Sequence, residues 1–218
     1  MHYSPEDGHG LPHNPFKAVV APRPIGWISS ADGAGRANLA PYSFFNAVAD
    51  APPMVMFAIC GRKEGATGPV KDSLTNIRET GEFVANICGW DLREAMNASS
   101  AGVGDEVDEF ELAGLEKGAC VKVRAPRVAA APAAFECVLH QELILPADGG
   151  PEMMNVVVFG RVVHVHLRDD LIVDGRFDTA GAKLLARCGY KDYAVVTETF
   201  EMNRPMGGDR WAASSSAA

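Results

Sequence analysis

The sequence predicts a mainly β domain of barrel type that carries a few short helices. Short runs of β-forming residues recur along the 218 residues and are separated by turn-forming Gly, Pro and Asp. They do not alternate regularly with long helical segments, as strands do in a doubly wound parallel sheet. No internal repeat or long Pro/Gly linker divides the chain, and its 47% hydrophobic and 22% charged residues are typical of a globular core.

We expect three parts along the chain. Residues 1–15 are polar, rich in Gly and Pro, and predict an extended N-terminal arm. Residues 16–205 predict a single domain, and residues 206–218 a flexible, low-complexity tail.

The first part of the domain predicts a β-hairpin. Its first strand is expected in "KAVVAPRPIGWISS" (17–30), and its turn in "ADGAGR" (31–36). The segments "ANLAPYSFFNAVA" (37–49) and "PPMVMFAIC" (52–60) follow as further strands. Prolines inside such runs favour strand starts, bulges or sheet edges, because proline cannot donate to a ladder.

Helical signals begin after this region. Asp72 or Ser73 is expected to cap a short helix that Gly81 ends. The remaining predicted elements are a strand in "EFVANIC" (82–88), helical turns in "DLREAMNAS" (91–99) and "DEVDEFELAGL" (105–115), strands in "ACVKVRAP" (119–126), "FECVLHQELILP" (135–146) and "NVVVFGRVVHVHL" (155–167), a helix in "AGAKLLARC" (180–188) and a last strand in "YAVVTETFEMN" (193–203).

Charge and cysteine usage exclude several function classes. Lys plus Arg number 20 and Asp plus Glu 28, so the formal charge is −8, which argues against nucleic acid and anionic membrane surfaces as partners. The five cysteines are odd in number, widely spaced and without a C-x-x-C pair, which predicts reduced thiols. No secretory signal or membrane span is visible, so we expect a cytoplasmic protein.

A phosphate site is indicated where a Gly-rich loop leads into the helix near residue 72. Such a helix start offers free backbone N–H groups and the positive end of the helix dipole. Lys71 adds a charge, Ser73 and Asn76 add donors, and Arg62 lies just upstream. The spacing is not that of a P-loop, and an ordinary capped surface helix remains an alternative.

A second candidate site lies in the stretch from Pro22 to Phe57, which combines small polar residues with aromatic ones and has almost no acids. Irregular strand backbone and hydroxyl or amide side chains can bind the edge of a heteroaromatic ring, and aromatic side chains can supply flat apolar surface. The residues in question are Trp27, Ser29, Ser30, Asn38, Tyr42, Ser43, Phe44 and Phe45. The alternative is that the aromatic residues are core and the polar residues occupy turns.

Other chemical signals are weaker. His164 and His166 share one face of a predicted strand, but no third ligand is evident, so a solvated or interface face is favoured and we expect no metal site. The acidic run from 105 to 111 predicts a solvated face, since the spacing of a calcium loop is missing. No G-x-S-x-G motif marks a hydrolase.

Several motifs together resemble the flavin reductase-like family of FMN-binding split β-barrels. The likeness covers roughly residues 13 to 205 and includes "PRPIGW", "NLAPYSFF" and "KDS-x-x-NI". It implies a Greek-key split barrel, a homodimer, and one FMN per subunit near the dimer interface. It also implies that the isoalloxazine and ribityl chain lie against Trp27, Ser29, Ser30, Asn38, Leu39, Ala40, Tyr42 and Ser43, and the phosphate against Arg62, Lys71, Ser73 and Asn76.

The resemblance implies an FMN-dependent oxidoreductase of the NAD(P)H:flavin reductase type, with hydride passing from NADH or NADPH to flavin N5 and on to a flavin or another electron acceptor. The flavin performs this chemistry, so no side chain is assigned as catalytic. An FMN-binding electron-transfer protein of the flavoredoxin type, or a non-catalytic FMN-binding protein, remains an alternative. Relatives often have a Gly pair where this chain has "CGYKDYA", and Tyr190 there could narrow access to the flavin.

Overall fold

The structure, a computed structural model, describes residues 1–61, 71–104, 106–148 and 154–203. Its α-helices are α1 Phe16–Val19, α2 Asp72–Thr80, α3 Arg93–Ala98 and α4 Glu109–Leu112. Its strands are β1 Arg23–Pro24, β2 Gly26–Ala31, β3 Ala37–Tyr42, β4 Phe45–Asp50, β5 Pro53–Cys60, β6 Glu82–Ile87, β7 Lys117–Gly118, β8 Arg127–Val128, β9 Ala133–Leu145, β10 Asn155–Leu167, β11 Ile172–Val173, β12 Arg176–Phe177, β13 Leu185–Arg187 and β14 Tyr193–Val195.

Seven strands form one antiparallel sheet in the order β3-β2-β6-β9-β10-β5-β4. Every one of these strands and helix α2 contribute side chains to the same buried cluster, in which Ile28, Phe57 and Phe83 are fully buried. A flat sheet could not bring both of its edge strands to one core, so the sheet curls around this cluster. The prediction of a mainly β, barrel-type domain is confirmed.

A second cluster fills the space on the other side of β2 and β3. It joins Trp27 and Leu39 from those strands to Met96 of α3, Phe110 of α4 and Leu185 of β13. Strands β1, β13 and β14 form a separate three-stranded sheet. Residues from both ends of the domain are therefore brought against the hairpin of β2 and β3.

Helix α2 closes one side of the barrel. Its Leu74 and Ile77 are fully buried in the main cluster, and Gly81 ends it in the left-handed conformation, with φ 71°. The predicted C-terminus is thus confirmed. The predicted cap is wrong: the N-cap is Lys71, whose side chain makes no capping bond, and Asp72 and Ser73 lie in the first turn.

Five predicted elements differ from the structure. The segment 37–49, predicted as one strand, forms the two strands β3 and β4, separated by a bend at Ser43 and Phe44. Residues 16–19 form one helical turn, although the predicted first strand begins at Lys17. Residues 119–126 are a loop, because side chains rather than a neighbouring strand accept several of its N–H groups. Residues 180–188 form turns followed by β13, since Leu185–Arg187 pair with both β1 and β14, and the last strand is only Tyr193–Val195.

All five cysteines are free thiols, as predicted. Across the described ranges, no helix is long and apolar enough to cross a bilayer. The division into arm, domain and tail stays a prediction, and the tail at 206–218 falls outside the described residues.

Candidate functional site

The N-terminus of α2 meets one face of β3. Alternate residues of the strand, Asn38, Ala40 and Tyr42, line a cavity of about 80 Å³ together with Lys71 and Ser73. The Ser73 hydroxyl oxygen accepts hydrogen bonds from Asn38 Nδ2 at 2.9 Å and from Tyr42 Oη at 3.1 Å. The two strand residues and the helix start are thereby held together by a buried polar network, the Ser73 network.

This cavity continues into two others. Pro41 and Ser100 are shared with a cavity of about 160 Å³ that Ser43 and Arg187 also line. That cavity shares Met96, Asn97 and Tyr193 with a third one, of about 320 Å³, which Trp90, Arg93 and Lys191 also line. The three cavities form one groove that runs from the start of α2, along the sheet edge, to β13 and β14.

The α2 end of the groove suits an anion. The first N–H groups of a helix have no intrahelical acceptor, and the side chain of the N-cap residue Lys71 makes no capping bond to them. The Lys71 ammonium lies 5.4 Å from the centre of the Tyr42 ring. Asp72 also lines this cavity and opposes an anion, but in the first turn of a helix its charge is favourably placed against the dipole.

Two titratable groups at this end are shifted by their surroundings. Burial raises the pKa of Tyr42 well above its usual range, so its hydroxyl stays protonated and donates to Ser73. Burial also raises the pKa of the Cys60 thiol, against the opposing influence of the Lys17 and Lys71 charges. Two lysines therefore lie near the end of β5.

The structure brings most of the predicted residues to the groove. Asn38, Ala40, Tyr42, Lys71 and Ser73 line its first cavity. Ser43 lines the second. Asn76 lies in an adjoining polar cavity and donates to Ser30 Oγ at 3.2 Å, and Arg62 is outside the described residues.

Four predicted residues have their side chains inside the protein. Trp27, Ser29, Ser30 and Leu39 are fully buried. Phe45 is also buried in the core, so for Trp27 and Phe45 the alternative prediction, that the aromatic residues are core, describes the structure. Trp27 Nε1 donates to Ser99 Oγ at 2.9 Å, and Ser99 in turn lines the groove. These side chains support the groove wall from behind, and their contact with a cofactor stays a prediction.

Three residues that sequence reasoning missed also build the site. Glu109 is buried, and its Oε2 accepts the N–H of Leu39 at 3.0 Å, so the prediction of a solvated acidic face is wrong for this residue. Arg187 Nη1 donates to Tyr193 Oη at 2.5 Å at the far end of the groove. No local signal in the sequence could reveal these residues. Leu39, the partner of Glu109, is distant in sequence, and Arg187, the partner of Tyr193, lies in a segment that is predicted to be a helix.

Tyr190 lies outside the lining of the groove. Its ring is half exposed and packs 5.6 Å from the ring of His13, and its carbonyl oxygen accepts a hydrogen bond from Arg187. The idea that its ring narrows the groove therefore gains no support from these contacts.

The histidine pair of β10 is less exposed than the sequence pattern predicts. His164 and His166 share a face as predicted, with ring centres 5.0 Å apart. The solvated half of that prediction is wrong for His166, because its Nε2 lies 2.6 Å from Oε1 of the fully buried Glu136, and the interface half stays a prediction. The packing of β9 beside β10 supplies this partner, which no spacing in the sequence indicates.

Comparison with known proteins identifies the fold. Residues 20–181 match the family described as "Flavin reductase like domain". An uncharacterized protein of Halalkalibacterium halodurans is 34% identical over 187 residues, which cover 86% of this chain and 88% of that protein. The crystal structure of nitrilotriacetate monooxygenase component B from Bacillus cereus is 30% identical, with TM-score 0.82, and the match covers 93% of this chain and 98% of that one.

A third comparison bears on the fold alone. The structure of a proposed flavin reductase with a split barrel domain, from Shewanella frigidimarina, matches with TM-score 0.79 at 21% identity, over 94% of this chain and 100% of that one. The split-barrel prediction is therefore confirmed. With most of its length matched in sequence and in fold, this chain belongs to the flavin reductase-like family of split β-barrels.

Proposed function

We propose that this protein is an FMN-dependent oxidoreductase of the NAD(P)H:flavin reductase type. Membership in the family supports a flavin cofactor and oxidoreductase chemistry. The proposal adds that the flavin is FMN, that NADH or NADPH is the hydride donor, and that a flavin or another acceptor receives the electrons. When bound, FMN supplies the hydride-accepting and electron-passing chemistry.

One observation carries the choice of FMN, which has a terminal phosphate. The Ser73 oxygen accepts two hydrogen bonds, from Asn38 and Tyr42, which occupy both of its lone pairs. Among the described residues no acceptor takes its own hydrogen, which is left as a donor at the start of α2, in a cavity that Lys71 also lines. A hydroxyl donor, an ammonium group and helix N–H groups together match the acceptor oxygens and charge of a phosphate.

The rest of the groove is suited to holding and orienting a flat ring. β3 is an edge strand, and Pro41 within it has no N–H to leave unsatisfied on that edge. Ile25, Pro41 and Met96 supply apolar wall, and Ser43, Asn97 and Ser100 supply polar groups beside it. Among the described residues, no histidine lines the groove, and we assign no general acid or base.

We also propose a homodimer, as the family likeness implies. Several large apolar side chains of the isolated chain are exposed, among them Ile144 at 68% and Val173 at 51%. An obligate interface of this kind should bury more than about 2,000 Å². Light scattering at micromolar concentration should give twice the mass of one chain, and a stable monomer would contradict this part of the proposal. The cytoplasmic location stays a prediction.

Steady-state oxidation of NADH and NADPH in the presence of excess FMN tests the activity. Continuous turnover with at least one nucleotide is the expected result. Slow single reduction with FMN retained would instead indicate an electron carrier. FMN binding without reaction towards either nucleotide would indicate a non-catalytic binding protein, and no FMN binding would remove the proposal.

A further inference from the structure

Cys120, Glu136 and His166 meet on the opposite face of the sheet from the main core. In β9 the neighbouring Cys137 points into that core, so Glu136 points away from it. The thiol sulfur, a carboxylate oxygen and an imidazole nitrogen of these three residues all lie within 4.8 Å of one another. None of the three lines the groove.

The Glu136 carboxylate is held rigidly. Its side chain has no exposed surface, and three consecutive backbone N–H groups donate to its two oxygens. Those donors are Val121 at 2.8 Å, Lys122 at 2.6 Å and Val123 at 3.1 Å. Hydrogen bonds of this kind fix the orientation of a metal-ligating carboxylate in known sites.

The three side chains offer sulfur, nitrogen and oxygen, which is the ligand set that zinc uses in proteins. The Nε2–Oε1 contact of 2.6 Å is a hydrogen bond. A metal ion would take the place of the shared proton and separate the two atoms to about 3.3 Å, as expected for tetrahedral bonds of about 2.0–2.1 Å. His166 is 21% exposed and Cys120 is half-buried, so an ion can enter and a water can complete its coordination.

We propose that Cys120, Glu136 and His166 bind one divalent transition-metal ion of the zinc class. The ion would fasten the loop at 119–126 to β9 and β10. Pro126 of this loop accepts a hydrogen bond from Ser29 Oγ in β2. The site therefore supports the back of the β2–β3 hairpin and does not take part in the reaction.

Calorimetric titration of the full-length, chelator-treated protein with Zn²⁺ tests the proposal. We expect the parent to bind one ion per chain. Cys120→Ser should bind Zn²⁺ at least about 100-fold more weakly, since losing a residue that only hydrogen-bonds a metal ligand already lowers metal affinity by up to that factor. His166→Gln should weaken Zn²⁺ binding by the same factor, although the glutamine amide can still donate a hydrogen bond to Glu136. The matched controls Cys188→Ser and His140→Gln, at a half-buried thiol and an exposed histidine outside the cluster, should bind like the parent.

Substitution with Co²⁺ gives an independent readout, and its first measurement uses the parent protein alone. The parent protein should show thiolate-to-cobalt absorption, and Cys120→Ser should lack it. A parent without that absorption overturns the proposal. So does a parent that binds no Zn²⁺, or one whose binding is unchanged by Cys120→Ser or His166→Gln, because the cluster would then be a hydrogen-bonded support for the loop alone.

Discussion

The Ser73 network and the Glu136 carboxylate are both buried and polar, yet their hydrogen bonding is opposite. Ser73 is neutral, accepts from two side chains and keeps its own hydrogen for a further partner at the groove. Glu136 is charged, and three of its bonds come from the backbone of one loop. The difference teaches that a site for a small-molecule anion keeps a donor for its ligand, whereas main-chain donors hold the Glu136 carboxylate in place and leave its contact with His166 as the point where a metal ion would enter.

The two centres also differ in where their negative charge comes from. Burial alone would raise the pKa of Glu136, but hydrogen bonds from the loop N–H groups and His166 lower it to about 2. At the Ser73 network the anion is expected to come from the ligand, and the protein contributes the positive groups. Substitutions at Glu136 should therefore change stability, and substitutions at Lys71 should change ligand affinity.

The largest effect is expected from Glu136→Gln. The amide cannot accept from all three loop N–H groups, so we expect a loss of about 3 kcal/mol in the free energy of unfolding. Urea unfolding in the presence of a chelator measures it. The exposed Glu116→Gln should stay within about 0.5 kcal/mol of the parent. Equal unfolding midpoints for Glu136→Gln and the parent would show that the carboxylate does not hold the loop.

Lys71→Ala should weaken FMN binding by about 1–3 kcal/mol, or roughly five- to 150-fold, with little change in stability. Flavin fluorescence titration measures the affinity, and the loss should shrink at high salt. The variant should also lose the parent's preference for FMN over riboflavin. With saturating FMN, turnover should return to near the parent value, because the phosphate takes no part in the transfer.

Lys122→Ala is the matched control for this experiment. It removes an exposed lysine from the loop that Glu136 holds, so FMN affinity should be unchanged. If Lys71→Ala binds FMN like the parent, the phosphate does not lie at the start of α2. If both variants lose affinity equally, the effect is one of overall charge and not of a site.

A smaller effect is expected from Tyr42→Phe. The variant loses the bond from Tyr42 Oη to Ser73 but keeps the ring, which packs 4.9 Å from the ring of Phe57. We expect a loss of about 1 kcal/mol in stability. FMN affinity should fall less than for Lys71→Ala, because Asn38 still orients Ser73. An affinity loss larger than that of Lys71→Ala would place the tyrosine hydroxyl itself against the ligand.

The smallest effect concerns a surface pair between α2 and β9. Arg78 makes two hydrogen bonds to Glu142 and lowers the pKa of that carboxyl below its usual value of 4.5. A lowered folded-state pKa means that the stabilisation is present above pH 4.5 and is lost as the pH falls below it. Since both groups are partly exposed, it should be under about 1 kcal/mol.

Chemical unfolding of the parent and Arg78→Met at pH 7 and at pH 3 checks this sign. The two proteins should differ slightly at pH 7 and converge at pH 3. A difference that grows as the pH falls would contradict the assignment of the shift to Arg78.

The sequence by itself determined the elements whose signals are local. Gly81 ends α2 because glycine adopts a positive φ without strain, and Asn155–Leu167 form β10 because a run of Val and other β-formers suits a strand. The residue types around Lys71 and Ser73 indicated a phosphate site and those around Asn38 a second site for a ring, and only the resemblance to the family implied that the two belong to one cofactor site.

Tertiary structure alone decided which polar side chains face the groove and which face the interior. Trp27 and Asn38 belong to adjacent strands of one hairpin, yet Trp27 is fixed to Ser99 inside the protein while Asn38 lines the cavity. The loop at 119–126 is rich in β-formers but is not a strand, because Glu136, brought there by β9, accepts its N–H groups. Such partners lie far apart in sequence, and only the curl of the sheet brings them within hydrogen-bonding distance.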